Sequence, residues 1–242
     1  MDEKQRQRPL RLSELAFACR VFGALTDYGD SYRRFLCATK GSPDLRLAAH
    51  RKALLRWLNA WGCRQFAVAH HKDASKEILS WYGEYSDKLC PKDRRLLELS
   101  EPELAVVGTA YEALSRRTAS YKKRGEEAFP VSIGPAGAAK ILFTIRPRAL
   151  LPWDAGIREG LGHSGSGASY VCYLRGAKML LENLAVQCQR HGLELSSLPQ
   201  KLGKPDSSVA MLLNEYYWVT ITRSYRLPDS VTFQRWAKWD RP

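Results

Sequence analysis

The chain has 242 residues, of which 45% are hydrophobic and 26% are charged, a composition that is ordinary for a folded globular protein and excludes disorder as a global description. Lysine and arginine number 38 against 25 for aspartate and glutamate, so the formal net charge is +13. This surplus indicates a polyanionic partner, because each cation that meets a phosphate releases a condensed counterion. A solubilising surface charge is the alternative. No stretch approaches roughly 18 apolar residues, so we expect no membrane partner.

Apolar residues recur at steps of three and four along most of the chain, a pattern that predicts helices. In chain order, the predicted helices cover about 11–25, 44–60, 64–88, 102–116, 135–146, 168–190 and 206–221. Pro102 and Pro135 suit the first turn of a helix, and Asp206 is a favourable N-cap. Alternating runs are scarce, so the sequence predicts an all-α fold.

Two breaks interrupt the helical pattern. Glycine and serine concentrate at 160–169, which is typical of a flexible connection. A second break at 196–206 contains Pro199, Gly203 and Pro205. It can mark a return of the chain to its N-terminal half.

The six cysteines are far apart and form no C-x-x-C pair. Free thiols in a reducing cytoplasm therefore fit better than a zinc site or an iron–sulfur cluster, and we expect no metal and no cofactor. The apolar segment from Leu12 to Leu25 is interrupted by Glu14 and Arg20, unlike the core of a signal peptide. We therefore expect a cytoplasmic protein.

The segment 130–160 carries the candidate chemistry. A glycine turn at Ile133 and Gly134 leads into a helix, and Asp154 lies just ahead of the next helix. Free backbone N–H groups at the start of the first helix can bind a DNA phosphate. Asp154 is then held at a defined position relative to that phosphate.

This segment resembles the hairpin-plus-aspartate signature of the helix-hairpin-helix (HhH-GPD) superfamily of DNA glycosylases. The family pattern G-x-x-x-A-x-x-I-L is matched here by Gly134, Ala138, Ile141 and Leu142. The family places its catalytic aspartate about twenty residues after that glycine, and Asp154 follows Gly134 at this spacing. The resemblance is sharp over residues 130–160.

Two positions depart from the family pattern. The family's L-P-G reads Pro130-Val131-Ser132 here, so the first glycine of the hairpin is missing. Lyase-type members carry a catalytic lysine at the position of Ala136, and Lys140 lies a full turn further on. The resemblance therefore implies a monofunctional glycosylase, a hydrolase that activates water and leaves an abasic site without nicking the strand.

Breaking a base–sugar bond builds positive charge on the anomeric carbon, as glycoside hydrolysis does. A carboxylate a few ångströms away stabilises this charge and can orient or deprotonate the attacking water. The resemblance assigns this role to Asp154. The simpler alternative is that Asp154 serves only as the N-cap of the helix that follows it.

The remaining site candidates follow from the same resemblance. DNA phosphate is expected to contact Ile133, Gly134, Ala136, Gly137 and Lys140. A glycosylase also flips its target base and fills the gap, and the equivalent loop here, 59–64, offers Asn59 or Arg64. Candidates for the base pocket or the wedge are Asn59, Trp61, Arg64, Trp153, Arg158 and Tyr170. For the aromatic residues the alternative is a place in the core, and for Arg64 it is a solvated charge.

The segment 212–219, with the sequence LLNEYYWV, carries no chemistry that follows from its residues. It looks similar to segments of prokaryotic antiviral DNA glycosylases, which remove hypermodified cytosines from phage DNA. This similarity implies action on nucleoid or viral DNA in a prokaryotic cytoplasm, with glucosylated hydroxymethylcytosine as the excised base. Double-stranded DNA is then the partner, bound by a monomer.

The resemblance also implies two helical subdomains that flank a cleft for DNA and the flipped base. The first comprises 1–50 plus 195–242, and the second comprises 51–194 with the hairpin at about 102–146. A non-catalytic helix-hairpin-helix module that only binds nucleic acid is the alternative. A nuclease would need paired carboxylates for Mg²⁺, and the sequence shows none that pair convincingly.

Overall fold

The computed structural model describes residues 10–124 and 126–239, and most of this part of the chain is helical. The helices are α1 (Leu12–Leu25), α2 (Tyr28–Ala38), α3 (Ala48–Ala60), α4 (His71–Tyr85), α5 (Glu101–Arg116), α6 (Gly134–Ile145), α7 (Ala155–Gly160), α8 (Gly167–Arg190), α9 (Leu198–Lys201), α10 (Val209–Tyr217) and α11 (Ser230–Trp239). Short 3-10 turns lie at Val68–His70, Leu96–Glu98 and Leu195–Ser197. The prediction of a mainly helical fold is confirmed. None of the described helices combines the length and apolar composition that crossing a bilayer requires.

The helix α2 is absent from the sequence-based prediction. Its buried face consists of Ser31, Tyr32 and Phe35, a stripe too short and too mixed to stand out from the hydrophobic pattern. The predicted helix 206–221 also differs, because it divides into α10 and a π-helical turn at Trp218–Thr222.

A two-stranded antiparallel ribbon, β1 (Thr118–Arg124) and β2 (Glu127–Ser132), joins α5 to α6. The sequence predicts no strand, and it predicts a tight hairpin within 102–146. The two helices do pack against each other, but the ribbon takes the place of the tight turn. The reason is local: the first hairpin glycine is missing, and Tyr121 and Val131 are residues that favour strands.

The core of the protein is built around α6. Every residue from Gly137 to Ile145 is buried, as expected for a helix that is apolar on nearly all sides. The helices α3 and α5 pack against it. Because α6 is enclosed, its N-terminus is its accessible end.

The two ends of the described chain meet, because α1 packs against α10. The buried apolar side chains of the described residues form one cluster. The division into subdomains at 1–50 plus 195–242 and at 51–194 stays a prediction. Residues 1–9 and 240–242 lie outside the described part of the chain.

The helices α5 and α8 cross with their backbones in contact. A Cβ atom on Gly167 would overlap the carbonyl oxygen of Gly108, and one on Gly108 would lie 2.8 Å from Val171 Cγ2. The backbone N–H of Gly167 also donates to the carboxylate of Glu112. This approach fixes the start of α8 beside α5 and leaves no space for a side chain at the crossing.

We expect Gly167→Ala to lower the free energy of unfolding by about 1–3 kcal/mol, because the added methyl group overlaps a backbone carbonyl. Gly176→Ala in the same helix is the matched control, since a Cβ atom there meets nothing within 4 Å. The control should raise stability by about 0.5–1 kcal/mol, as removal of a helical glycine does. Urea denaturation measures both variants, and equal effects would contradict the crossing geometry.

Candidate functional site

Asp154 lies at the start of α7 with its side chain half-buried. Its Oδ1 accepts a hydrogen bond from the backbone N–H of Ile157 at 2.7 Å, so Asp154 is the N-cap of this helix. The hydroxyl of Thr222 donates to the carboxylate and lies 3.0 and 3.1 Å from its two oxygens. Two donors therefore fix the orientation of the carboxylate, which also forms part of the wall of a cavity.

Hydrogen bonds from α8 and α10 fix the extended segment that leads into α7. The hydroxyl of Tyr170 donates to the Leu151 carbonyl at 2.8 Å. The Tyr173 hydroxyl and the Asn214 amide both donate to the Pro152 carbonyl, at 3.1 and 2.9 Å. Buried side chains of the core thus set the position of the carboxylate that follows.

The indole of Trp153 connects this segment to the first turn of α6. Its Nε1 donates to the Pro135 carbonyl at 3.1 Å, and the Tyr111 hydroxyl donates to the same carbonyl at 3.3 Å. Trp153 is fully buried, so these bonds are shielded from water. Asp154, the next residue, therefore has a fixed position relative to the N-terminus of α6.

The N-terminus of α6 presents backbone N–H groups. Gly134 has a φ of +68°, which glycine adopts without strain. Pro135 has no N–H, so Gly134 and Ala136 supply the donors that an anion could reach. The expected phosphate contact of Ile133 is corrected, because its N–H donates to the Arg117 carbonyl at 2.7 Å and its side chain is buried.

Lys140 does not lie at the surface where a phosphate would bind. Its side chain is 6% exposed, and its Nζ donates to the Trp61 carbonyl at 2.6 Å. Lys140 is one of the residues that line the same cavity as Asp154. The predicted phosphate contact of Lys140 is therefore replaced by a place in the cavity wall, because α6 directs this side chain inward.

Arg158, predicted for the base pocket, lies instead near the N-terminus of α6. A Cβ atom on Gly165 would lie 2.6 Å from Pro135 Cγ and 3.2 Å from Arg158 Nη1, so Gly165 touches both. Arg158 pairs with Glu159 at 2.7 Å, and its Nε is buried without a hydrogen-bond partner in the described part of the chain. A guanidinium thus stands close to the free N–H groups of α6.

The loop after α3 contacts the start of α6. Gln65 donates through Nε2 to the Ile133 carbonyl at 2.7 Å. Arg64, the neighbouring residue, is exposed and stays a candidate for the wedge. Asn59 is engaged elsewhere, since its Nδ2 lies 3.2 Å from His71 Nε2.

Tyr170 and Gly137, two further predicted site residues, lie in the core. Tyr170 is fully buried and stacks on Tyr111 with ring centroids 4.4 Å apart. A Cβ atom on Gly137 would lie 3.0 Å from Gln65 Nε2. Both predictions are corrected: Tyr170 anchors the segment before Asp154, and Gly137 lets the loop after α3 approach α6.

The cavity beside Asp154 has a volume of about 50 Å³, which is room for one or two water molecules. Its walls are mainly aromatic and comprise Phe22, Tyr28, Trp61, Lys140, Pro152, Trp153, Asp154, Ile157, Asn214 and Trp218. Trp61 and Trp153, both predicted for the base pocket, are buried in these walls. Tyr28 and Trp218 are partly exposed, with ring centroids 6.1 Å apart. In this conformation the cavity is too small for a nucleobase.

Three larger cavities are present among the described residues. One of about 290 Å³ shares Phe22 with the cavity at Asp154, whereas those of about 540 and 840 Å³ lie away from Asp154. Phenylalanine, tyrosine and tryptophan are absent from the described residues that line the latter two. A planar base needs an apolar surface on which to stack. The aromatic cavity at Asp154 is therefore the candidate site, despite its smaller volume.

The π-helical turn at Trp218–Thr222 brings a hydroxyl to Asp154. A Cβ atom on Gly156 would lie 3.0 Å from Thr222 Oγ1, and one on Gly160 would overlap Ile221 Cγ2. The helix α7 thus packs directly on the turn through two glycines four residues apart. π-helical turns are rare and concentrate at functional sites.

The segment 212–219 contributes two residues to the cavity that sequence analysis does not assign. Asn214 and Trp218 are four residues apart and therefore share a helix face. Glu215 between them is buried and pairs with Lys204, and this burial raises the pKa of the Glu215 carboxyl. The i, i+4 spacing of an amide and an indole is the signal that could have indicated these positions.

Comparison of the chain with protein-family models, with curated protein sequences and with solved structures returns no match. The resemblance therefore rests on the sequence segments 130–160 and 212–219. Within 10–124 and 126–239, no three His, Cys, Asp or Glu side chains are grouped so as to hold a metal ion. The site offers a fixed carboxylate, a buried ammonium and aromatic walls, a set that can stabilise separated charges on a planar ligand.

Thr222→Val keeps the shape of this side chain and removes the hydroxyl that donates to Asp154. We expect the free energy of unfolding to fall by about 1 kcal/mol, the usual contribution of such a hydrogen bond. Thr222→Ser is the matched control, because it retains the hydroxyl. Chemical denaturation of Thr222→Val, Asp154→Asn and the double variant gives a coupling energy. Strict additivity of the two changes would show that the pair does not interact.

Proposed function

We propose that this protein is a monofunctional DNA glycosylase of the helix-hairpin-helix superfamily, which flips a modified base and hydrolyses its N-glycosidic bond to leave an abasic site. One observation carries the proposal. Asp154 lines an aromatic cavity, and the indole of the preceding residue, Trp153, donates to the first turn of α6. In this proposal α5, the ribbon and α6 form the helix-hairpin-helix unit. A DNA phosphate at the N-terminus of α6 then sets the position of the sugar relative to Asp154.

Asp154 is the catalytic residue of the proposed reaction. As the bond between sugar and base breaks, its electron pair leaves with the base, and positive charge develops on the sugar carbon. A nearby carboxylate stabilises that charge. A water molecule adds its oxygen to the carbon and gives up a proton to the carboxylate, and the base gains a proton in exchange. Thr222 and the Ile157 N–H hold the carboxylate in place throughout.

The monofunctional assignment rests on Ala136. A lyase forms a Schiff base between an amine and the sugar, and Ala136 stands where lyase-type members carry that amine. Asp154 and water are then sufficient for base release, and the strand stays intact.

The proposed substrate follows from a second cavity of about 290 Å³, which adjoins the first because Phe22 lines both. Its lining includes Arg33, Lys204 and Glu215, and Lys204 Nζ lies 5.4 Å from the Phe22 ring centroid. Charged donors and acceptors beside an aromatic ring suit a hydroxylated group. We therefore propose glucosylated hydroxymethylcytosine in phage DNA as the excised base, and antiviral defence in a prokaryotic cytoplasm as the role.

Double-stranded DNA is the proposed partner, and a monomer is the proposed binding form. The ribbon supports this, since β2 ends at Ser132, two residues before Gly134. Lys122 and Lys123 on β1 are exposed, and such cations bind phosphates. A two-stranded ribbon also fits a DNA groove. The ribbon and the N-terminus of α6 then contact the same duplex.

A non-catalytic nucleic-acid-binding module is the second candidate. The observation in its favour is the small cavity beside Asp154, which in this conformation admits water but not a base. Under this alternative Asp154 is only an N-cap. The two candidates differ in what happens when its charge is removed.

Asp154→Asn should keep the N-cap, because asparagine caps helices as well as aspartate does. We expect DNA affinity to be unchanged and base release to fall by at least about 100-fold, the usual effect of removing a charge-stabilising group. Single-turnover assays with mass spectrometry measure release from duplexes that carry uracil, oxidised, alkylated or glucosylated bases. Asp93→Asn, an exposed carboxylate outside the cavity, is the control. Equal release by Asp154→Asn and the wild type would refute the catalytic role.

Replacing Lys122 and Lys123 together by glutamate should weaken duplex binding and make its salt dependence shallower. The slope of log K against log salt should fall in magnitude by about 2, since each phosphate contact contributes about 0.9. The control pair is Arg190→Glu with Lys201→Glu. Arg190 lies at the C-terminal end of the 24-residue helix α8. The N-terminal end of α8 lies beside α5, and the two ends of α8 are about 36 Å apart. Identical slopes for both pairs would show that the ribbon does not bind DNA.

A further inference from the structure

Lys140 is a buried cation without a carboxylate partner. It forms no ion pair among the residues that the structure describes, and its ammonium donates to the Trp61 carbonyl. The Cys63 thiol is the neighbouring titratable group: burial raises its pKa, and the ammonium opposes that rise. The positive charge of Lys140 is therefore only partly compensated within the protein.

Burying an ammonium costs free energy when its N–H donors are not all used, so the arrangement points to a missing hydrogen-bond acceptor. An ammonium has three N–H donors. The Trp61 carbonyl accepts one of them, and the Cys63 thiol is a second hydrogen-bond partner. The Trp61 ring, with its centroid 5.7 Å from Nζ, offsets part of the cost of desolvation. The donor that remains can reach the cavity, because Lys140 forms part of its wall.

Asp154 contributes to another part of the same wall, and the two charged groups do not pair with each other. The carboxylate is held by Ile157 and Thr222, whereas the ammonium is held by Trp61. A ligand in the cavity thus meets both an anion and a cation. In a site from which water is excluded, both interactions are stronger than in water.

We propose that Lys140 binds the acceptor edge of the flipped base, an edge that carries a ring carbonyl oxygen, and stabilises the negative charge that the base gains as it leaves. This inference rests on the proposed glycosylase function. The electron pair of the broken bond moves into the base, and the hydrogen bond from Lys140 to the carbonyl oxygen strengthens as it does so. Water supplies the oxygen for the sugar and the proton that the base finally carries.

The direct test is the binding of free uracil and of toluene to the full chain, followed by tryptophan fluorescence. Trp61, Trp153 and Trp218 line the cavity, so occupancy changes the signal. Uracil presents carbonyl acceptors, and toluene has a similar planar shape without them. In Lys140→Met we expect the Kd of uracil to rise about 10- to 100-fold, the usual effect of losing a hydrogen bond to a charged group. The Kd of toluene should change less than about twofold, because its contacts are apolar.

Lys140→Gln is the second variant, in case the methionine does not fold, since its amide can still donate to the Trp61 carbonyl. Thermal unfolding confirms that each variant is folded. We expect Lys140→Gln to bind uracil with intermediate affinity, because it keeps a donor and loses the charge. Asp93→Asn, at an exposed carboxylate outside the cavity, should retain wild-type affinity for uracil. Unchanged uracil binding in Lys140→Met and Lys140→Gln would overturn the inference.

A separate assay distinguishes this inference from the proposed function. In single-turnover base release, Lys140→Met should be at least about 100-fold slower than the wild type at equal duplex affinity. If the wild type binds uracil through Lys140 but releases no base from any duplex, the glycosylase proposal is wrong and the acceptor site stands. Covalent trapping of Lys140 on abasic DNA by borohydride would overturn the inference, because the lysine would then act as a nucleophile.

Discussion

The hydrogen bond from the Trp153 indole to the Pro135 carbonyl is the constraint on which the candidate site depends. This bond connects the N-terminus of α6, which can bind an anion, to the segment that carries Asp154. The indole is fully buried, and so is the body of α6, so their separation does not change when surface groups move. An anion at Gly134 would therefore stand at a constant distance from Asp154, whatever ligand occupies the cavity.

The aromatic cavity, in contrast, has to change shape before it can bind a ligand, because it is nearly closed. About 50 Å³ holds water but not a base, so the cavity must open before a base enters. Contacts elsewhere can lower the free-energy cost of that opening, because a polyanion bound at the surface contributes binding energy before its reacting part enters. The cationic surface can provide these contacts, because Arg158 lies near the N-terminus of α6 and both Arg64 and the ribbon lysines are exposed.

The sequence predicts those parts of the fold that rest on local pattern. The helical periodicity places most helices within a few residues of their bounds. The glycine turn at Gly134 and the N-cap position of Asp154 are likewise readable from the sequence. The ribbon is missed because a single absent hairpin glycine changes the connection without disturbing the helices around it. The cavity is missed because its walls come from α1, α6 and α10, and no local pattern reports which side chains meet. Lys140 shows where sequence-based prediction ends. Its spacing from Gly134 can be read from the sequence, but the direction of its side chain depends on how α6 is buried.

The position of Lys140 bears on how a single carboxylate could break a strong bond. Heterolysis creates two charges, and a site with only Asp154 stabilises the cation on the sugar while the departing base is left in an apolar cavity that disfavours its negative charge. An ammonium from a residue of the same cavity lining would offset this imbalance. The two groups can act together because each is held by its own partners, Asp154 by Thr222 and Lys140 by the Trp61 carbonyl, and so neither neutralises the other while the cavity is empty. In the proposed reaction the charges would therefore be in place before the bond breaks, and the site would not need to reorganise.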